Sequence, residues 1–181
     1  MIITNGSHKK TTWWAELGQL LDSNDSVHFS VDGYDNDSNN LYRINSDYIS
    51  IVDGIQTLRT ASCCKIIWAT IAFKFNEEHL DSIKEFAQAI GVDRFQLTKS
   101  TKFGSVYPSY GIDDPLQPSV KYISSTPRFE REAIAFTDAG AIESMSVTNI
   151  KLFDQTQSRN GVTPLCAIGN KGLYIDARGR L

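Results

Sequence analysis

Residues 65–73, Lys65-Ile-Ile-Trp-Ala-Thr-Ile-Ala-Phe73, are almost continuously apolar or β-branched. A strand of this composition is buried on both faces, as in parallel sheets whose strands are joined by helices. The flanking sequence agrees. Upstream, Tyr48, Ile51, Val52, Ile55 and Leu58 recur at helical spacing behind Ser46 or Asp47 as cap. Downstream, Asn76 is expected to cap a helix with Glu77 and Glu78 in its first turn, favourable at the positive end of the dipole. Leu80, Ile83, Phe86, Ala87 and Ile90 form its inner stripe, and Gly91 stops it. Val92–Leu97 reads as the next strand, so the unit is a right-handed strand–helix–strand crossover.

The same alternation runs back to the N-terminus. Ile2–Ile3 closes at Thr4-Asn5-Gly6, and Trp13, Trp14, Leu17, Leu20 and Leu21 follow at helical spacing. Val27–Val31 is a strand closed by Asp32-Gly33, and the polar run 36–40 reads as a surface loop. The expectation is an α/β fold with four parallel strands near 1–4, 27–32, 65–73 and 92–98. They should lie in consecutive order under two or three helices, with the sheet open beside its first strand. Beyond Thr98 the pattern changes. Residues 99–126, with Pro108, Pro115 and Pro118, read as an irregular excursion. Thr126-Pro127 predicts a helix to about Thr137, with Pro at its first position. Residues 141–165 predict at most one short strand, around 146–152, and 172–180 a hairpin arm.

Composition removes several classes of function. With 18 Lys and Arg against 21 Asp and Glu, the net charge is −3 and nothing suggests a surface built for phosphate backbones. No apolar run approaches the roughly 20 residues of a membrane helix, and the N-terminus is too short and polar for a signal peptide. Three cysteines, two of them adjacent, do not make a disulfide framework and suit a reducing compartment. A soluble cytoplasmic protein is expected, without nucleic-acid or membrane partners. A P-loop, a dinucleotide fingerprint and a serine-nucleophile elbow are missing.

Two sets of residues carry a resemblance. The first is the order Thr4-Asn5-Gly6, Phe29-Ser-Val-Asp-Gly33, Arg43 before a helix, then an apolar strand followed by Asn76. The second is the final segment, in which twelve residues separate Cys166 from Gly179 before the chain ends at Leu181. Together they resemble the radical SAM superfamily with a SPASM-type C-terminal extension. On that resemblance residues 1–98 correspond to strands three to six of the partial (β/α) barrel. Residues 99–181 correspond to the extension and the opening of its auxiliary-cluster motif, whose next cysteine would fall at position 184.

The resemblance implies an oxidoreductase that cleaves S-adenosyl-L-methionine (SAM) at a 4Fe–4S cluster and abstracts hydrogen from a substrate, for which the family suggests a peptide or protein and the residues here name none. It implies that Ser30, Asp32 and Arg43 bind SAM and that Cys166 ligates an auxiliary cluster in a longer parent. Short hydroxyl and carboxylate side chains at strand ends suit ribose hydroxyls, and a guanidinium fork suits the SAM carboxylate. The sequence departs from the family in one decisive respect. The cysteines are Cys63, Cys64 and Cys166, so the Cys-x3-Cys-x2-Cys loop of the radical-generating cluster is absent. No catalytic residue is singled out, and the isolated chain is expected to hold no cofactor and to be inactive alone. A truncated, split or degenerate enzyme and a non-catalytic α/β binding or interaction module both remain open.

The bland readings stand beside these. Asp32-Gly33 is an ordinary turn, Arg43 an exposed partner for Asp47, and Asn76 a cap. Trp13 and Trp14 fit a core stripe with one exposed ring. Cys63 and Cys64 fit packing roles. Lys99, Ser100, Thr101 and Lys102 would face the barrel mouth, yet a polar loop after a strand needs no ligand. His8, His28 and His79 lack metal-ligand spacing.

Overall fold

The computed structural model describes residues 1–100, 103, 114–124, 130–136, 142–146 and 173–174. In chain order the elements are β1 (Ile2–Thr4), α1 (Thr11–Leu20), β2 (Ser26–Ser30), α2 (Asn36–Asn40), α3 (Tyr48–Ala61) and β3 (Lys65–Ile71). They continue with α4 (Leu80–Ala89), β4 (Arg94–Lys99), a 3-10 turn (Val120–Tyr122), β5 (Glu130–Phe136), β6 (Ile142–Ser146) and β7 (Leu173–Tyr174). All strands join one sheet in the order β6-β5-β4-β3-β2-β1-β7. The segment β4-β3-β2-β1-β7 is parallel, while β5 and β6 are added antiparallel beyond β4. The fold is therefore α/β, with β1 to β4 in consecutive order as their sequence predicts.

Strand alternation sorts the side chains. Register aligns Thr4, Phe29, Trp68, Phe95 and Ile134 in one row, and Ile2, Val27 and Ile66 in another. Phe29, Trp68, Val27, Ile66 and Phe95 are buried in a cluster with Trp14 of α1, Ile51, Ile55 and Leu58 of α3, and Ile83 and Ala87 of α4. The three long helices thus cover one face, as right-handed crossovers between sequential parallel strands require. Two small residues allow α1 and α3 to close. A Cβ on Gly18 would stand 2.6 Å from that of Ala61, and one on Gly54 would stand 2.5 Å from Trp14 Nε1. Asp47 caps α3 by accepting the Ser50 N–H, and Gly91 ends the α4 segment with φ +90.

Four expectations are corrected. Residues 130–136 form strand β5, where a helix through 126–137 was expected, because the ladder to β4 satisfies their backbone from Arg94↔Ala135 to Lys99↔Glu130. The edge beside β1 is not open, since Ile2 and Ile3 pair with Leu173 and Tyr174 of β7. The polar run 36–40 is a short helix with a capping box between Asp35 and Ser38. Asn76 does not cap α4, whose N-cap position is His79; Asn76 lies in the preceding turn. Strand β6 at Ile142–Ser146 meets the short strand expected around 146–152 only at Ser146, and residues 147–152 lie outside the described residues. No helix among the described residues is long and apolar enough to cross a membrane.

Candidate functional site

Parallel strands place the C-terminal ends of β1 to β4 along one edge, and the segments that follow them meet there. The segment after β2 is the most elaborately tied. Asn39 is fully buried, and its Oδ1 accepts the Asp32 N–H at 3.0 Å and the Gly33 N–H at 2.9 Å. Its Nδ2 donates to Ser46 Oγ at 2.8 Å. Glycine is required at 33 by close approach, since a Cβ there would stand 2.2 Å from the Asn39 nitrogen. Asn76, also fully buried, donates from Nδ2 to the carbonyls of Asp32 (2.7 Å) and Ile71 (2.8 Å) and accepts the Phe73 N–H at 2.8 Å. One amide therefore ties the end of β2 to the end of β3.

Within this frame the Asp32 carboxylate is fully buried and engaged at both oxygens. Oδ1 accepts the Ile71 N–H at 2.7 Å, and Oδ2 accepts Arg43 Nε at 2.6 Å. Burial holds the Asp32 carboxyl above the usual carboxylate range, opposed by the Arg43 charge and the Ile71 N–H. The Arg43 side chain retains 26% exposure, and among the described residues its only side-chain hydrogen bond is the one from Nε. Its guanidinium also lies 5.3 Å from the Tyr42 ring centroid. Tyr42 in turn packs on Phe73 at 4.4 Å, and Phe73 stacks with Phe75 at 5.4 Å. An oriented guanidinium with its Nη edge disengaged, beside an aromatic platform, can receive a carboxylate or phosphate.

Of the residues expected to form a site, Asp32 and Arg43 are in direct contact. Ser30 ends β2, half-buried, on the face opposite the helices and level with Ala69 of β3. Val31, between Ser30 and Asp32, is buried in the helix-side core. Arg43 pairs with Asp32, not with Asp47, which is occupied as the α3 cap. Cys166 lies outside the described residues, as do Thr101 and Lys102. Lys99 pairs with Glu132 at 3.3 Å, and Ser100 bridges Ile123. Asn39 is the organising residue that sequence reasoning missed; a buried Asn in a run of polar residues looks like its solvated neighbours.

Cys63 is exposed and Cys64 buried, and burial pushes the Cys64 thiol up. Both precede β3, at the opposite end of the sheet from Asp32 and Arg43, so they are not placed to hold a cluster at that edge. Among the described residues no three His, Cys, Asp or Glu side chains are grouped to hold a metal ion. No protein-family model matches the chain, and no curated protein matches it significantly.

Proposed function

We propose that this chain is the C-terminal portion of a radical SAM/SPASM-type oxidoreductase, with β1 to β4 as strands three to six of its partial barrel. The observation that carries the reading is the consecutive order of four parallel strands with all three long helices on one face. A barrel winds in this way, whereas a doubly wound sheet reverses its strand order and carries helices on both faces. At such a barrel's C-terminal strand ends, Arg43 takes the SAM carboxylate through its Nη edge. Ser30 offers a hydroxyl to the ribose. Asp32, having no exposure, touches no ligand and acts by orienting Arg43. When bound, the cluster and SAM supply the radical chemistry, and this portion supplies binding and orientation. The spacing of Cys63, Cys64 and Cys166 does not provide the radical-generating cluster, so this chain alone leaves SAM uncleaved.

A second reading rests on the engagement of both Asp32 oxygens. If Asp32 and Arg43 serve as a structural latch alone, the chain is a non-catalytic α/β binding module. The coding sequence on either side separates the two. A Cys-x3-Cys-x2-Cys loop upstream and a cysteine at position 184 are expected for the enzyme. The extended polypeptide, reconstituted anaerobically with iron and sulfide, should then release 5′-deoxyadenosine from SAM. Ser30→Ala and Arg43→Lys should each raise the SAM concentration needed by about tenfold, a loss of roughly 1.4 kcal/mol in binding. An extended frame without that cysteine loop, or SAM cleavage by residues 1–181 alone, would sink the proposal. Unchanged SAM dependence in both variants would favour the latch.

A further inference from the structure

The sheet face opposite the helices has its own pattern. Register places Ile3, His28, Ile67, Arg94 and Ala135 in one row across β1 to β5. Ser30, Ala69, Gln96 and Ala133 form the next row, and Ile71, Thr98 and Arg131 the third. Three of the four residues in the middle row are small, so the face is low there between rows that each carry an arginine. Ile67 and Ala133 are buried at 5% exposure, whereas His28, Ser30, Ala69, Arg94 and Gln96 are half-buried and Arg131 is exposed. The result is a covered floor with accessible cationic and amide groups around it.

Among the side chains the structure describes, the charge on this face is uncompensated. Arg43, Arg59, Lys84 and Lys99 each have a carboxylate partner, but neither Arg94 nor Arg131 has one. Glu143 of β6 stands in register with Ala135, two strands from Arg94, or about 10 Å at ordinary strand spacing. Asp32 is spent on Arg43 and Ile71. Arg94 and Arg131 lie on adjacent strands, about 14 Å apart along the ladder, with Gln96 and Ala133 between them. His28, two strands from Arg94, has its pKa lowered to about 4 by burial first, then by the terminal amine, Arg131 and Arg94.

We propose that this face is a binding site for a small oxyanion ligand, carboxylate- or phosphate-bearing, held between Arg94 and Arg131 over the Gln96–Ala133 rung. The guanidiniums take the oxyanion in charge-assisted pairs, and the Gln96 amide and Ser30 hydroxyl supply neutral hydrogen bonds. The charged groups of this site are not those of the SAM reading, Asp32 and Arg43; the two share Ser30 alone, and the Arg94 and Arg131 variants test this site without altering that residue.

The test is calorimetric titration of the purified chain with succinate and, separately, with inorganic phosphate. Saturable binding by at least one probe is expected, weakened about tenfold or more in Arg94→Gln and in Arg131→Gln. Lys84→Gln, on the helix side, should bind like the unaltered protein. The tighter probe assigns the ligand to carboxylates or to phosphates. Arg94→Lys keeps the charge and controls for loss of fold, which circular dichroism monitors in every variant. No saturation by either probe, or equal affinity in both glutamine variants and the unaltered chain, would overturn the proposal.

Discussion

Replacing Arg43 by Met removes the cation from a carboxylate that has no exposure. Breaking a buried pair from one side costs about 3–5 kcal/mol, because the remaining charge is left in a poorly solvating site. Arg43 keeps 26% of its side chain in solvent, so part of its attraction is already screened. The expected loss at pH 7 is therefore smaller, about 2–3 kcal/mol. Its pH dependence follows from Asp32. Burial already raises the native carboxyl, and Arg43 is the leading opposition to that rise. Without Arg43 the native state holds a proton that the unfolded chain releases at lower pH. Stability contributed by a group raised in the native state is lost as pH rises toward its native pKa. The variant should be penalised less at pH 5 than at pH 7.

Urea unfolding followed by the fluorescence of buried Trp14 and Trp68 reads both numbers. The double variant Asp32→Asn/Arg43→Met should recover part of the loss, since an Asn carbonyl still accepts the Ile71 N–H and no charge remains. A loss under about 0.5 kcal/mol at pH 7, the range of ordinary surface changes, would refute the reasoning. So would an equal loss at both pH values.

Three further outcomes are expected. Asn76→Ala should cost about 3 kcal/mol in the same assay, since it orphans the buried Phe73 N–H and two carbonyls; a loss under about 1 kcal/mol would show the tie to be dispensable. The His28 imidazole is lowered to about 4 from 6.5, so its contribution is full above pH 6.5 and is lost as pH falls toward 4. After discounting for partial exposure this amounts to about 1–2 kcal/mol; stability measured from pH 7 to 4 should fall less in His28→Gln, and parallel curves would contradict it. Gly54→Ala places a methyl 2.5 Å from Trp14 Nε1; overpacking should outweigh the helix-propensity gain of about 1 kcal/mol and lower the urea midpoint, whereas a raised midpoint would mean that α1 can yield.

The parallel strands were legible because each is nearly continuous in apolar residues and is separated from the next by a helical stripe, so local composition and tertiary environment agree. In β5 they disagree. Glu130-Arg-Glu-Ala133 behind Thr126-Pro127 has the propensity and opening of a helix, and its strand state comes from a ladder to β4 formed more than thirty residues away in sequence. The alternation of Arg131, Ala133 and Ala135 against Glu132, Ile134 and Phe136 carried the period of a strand, but it is visible only once the partner is known. The site divides in the same way. Asp32 and Arg43 stood out through a resemblance, an Asp-Gly at a strand end with an Arg eleven residues on. Asn39 did not, and Asn76 stood out as an expected helix cap, because what makes both structural is complete burial with their amide groups hydrogen-bonded to the backbone of strand ends and turns and, for Asn39, to the Ser46 hydroxyl as well. A buried amide that joins two strand ends has no local pattern. Its type can be read from the sequence, but its role depends on the fold around it.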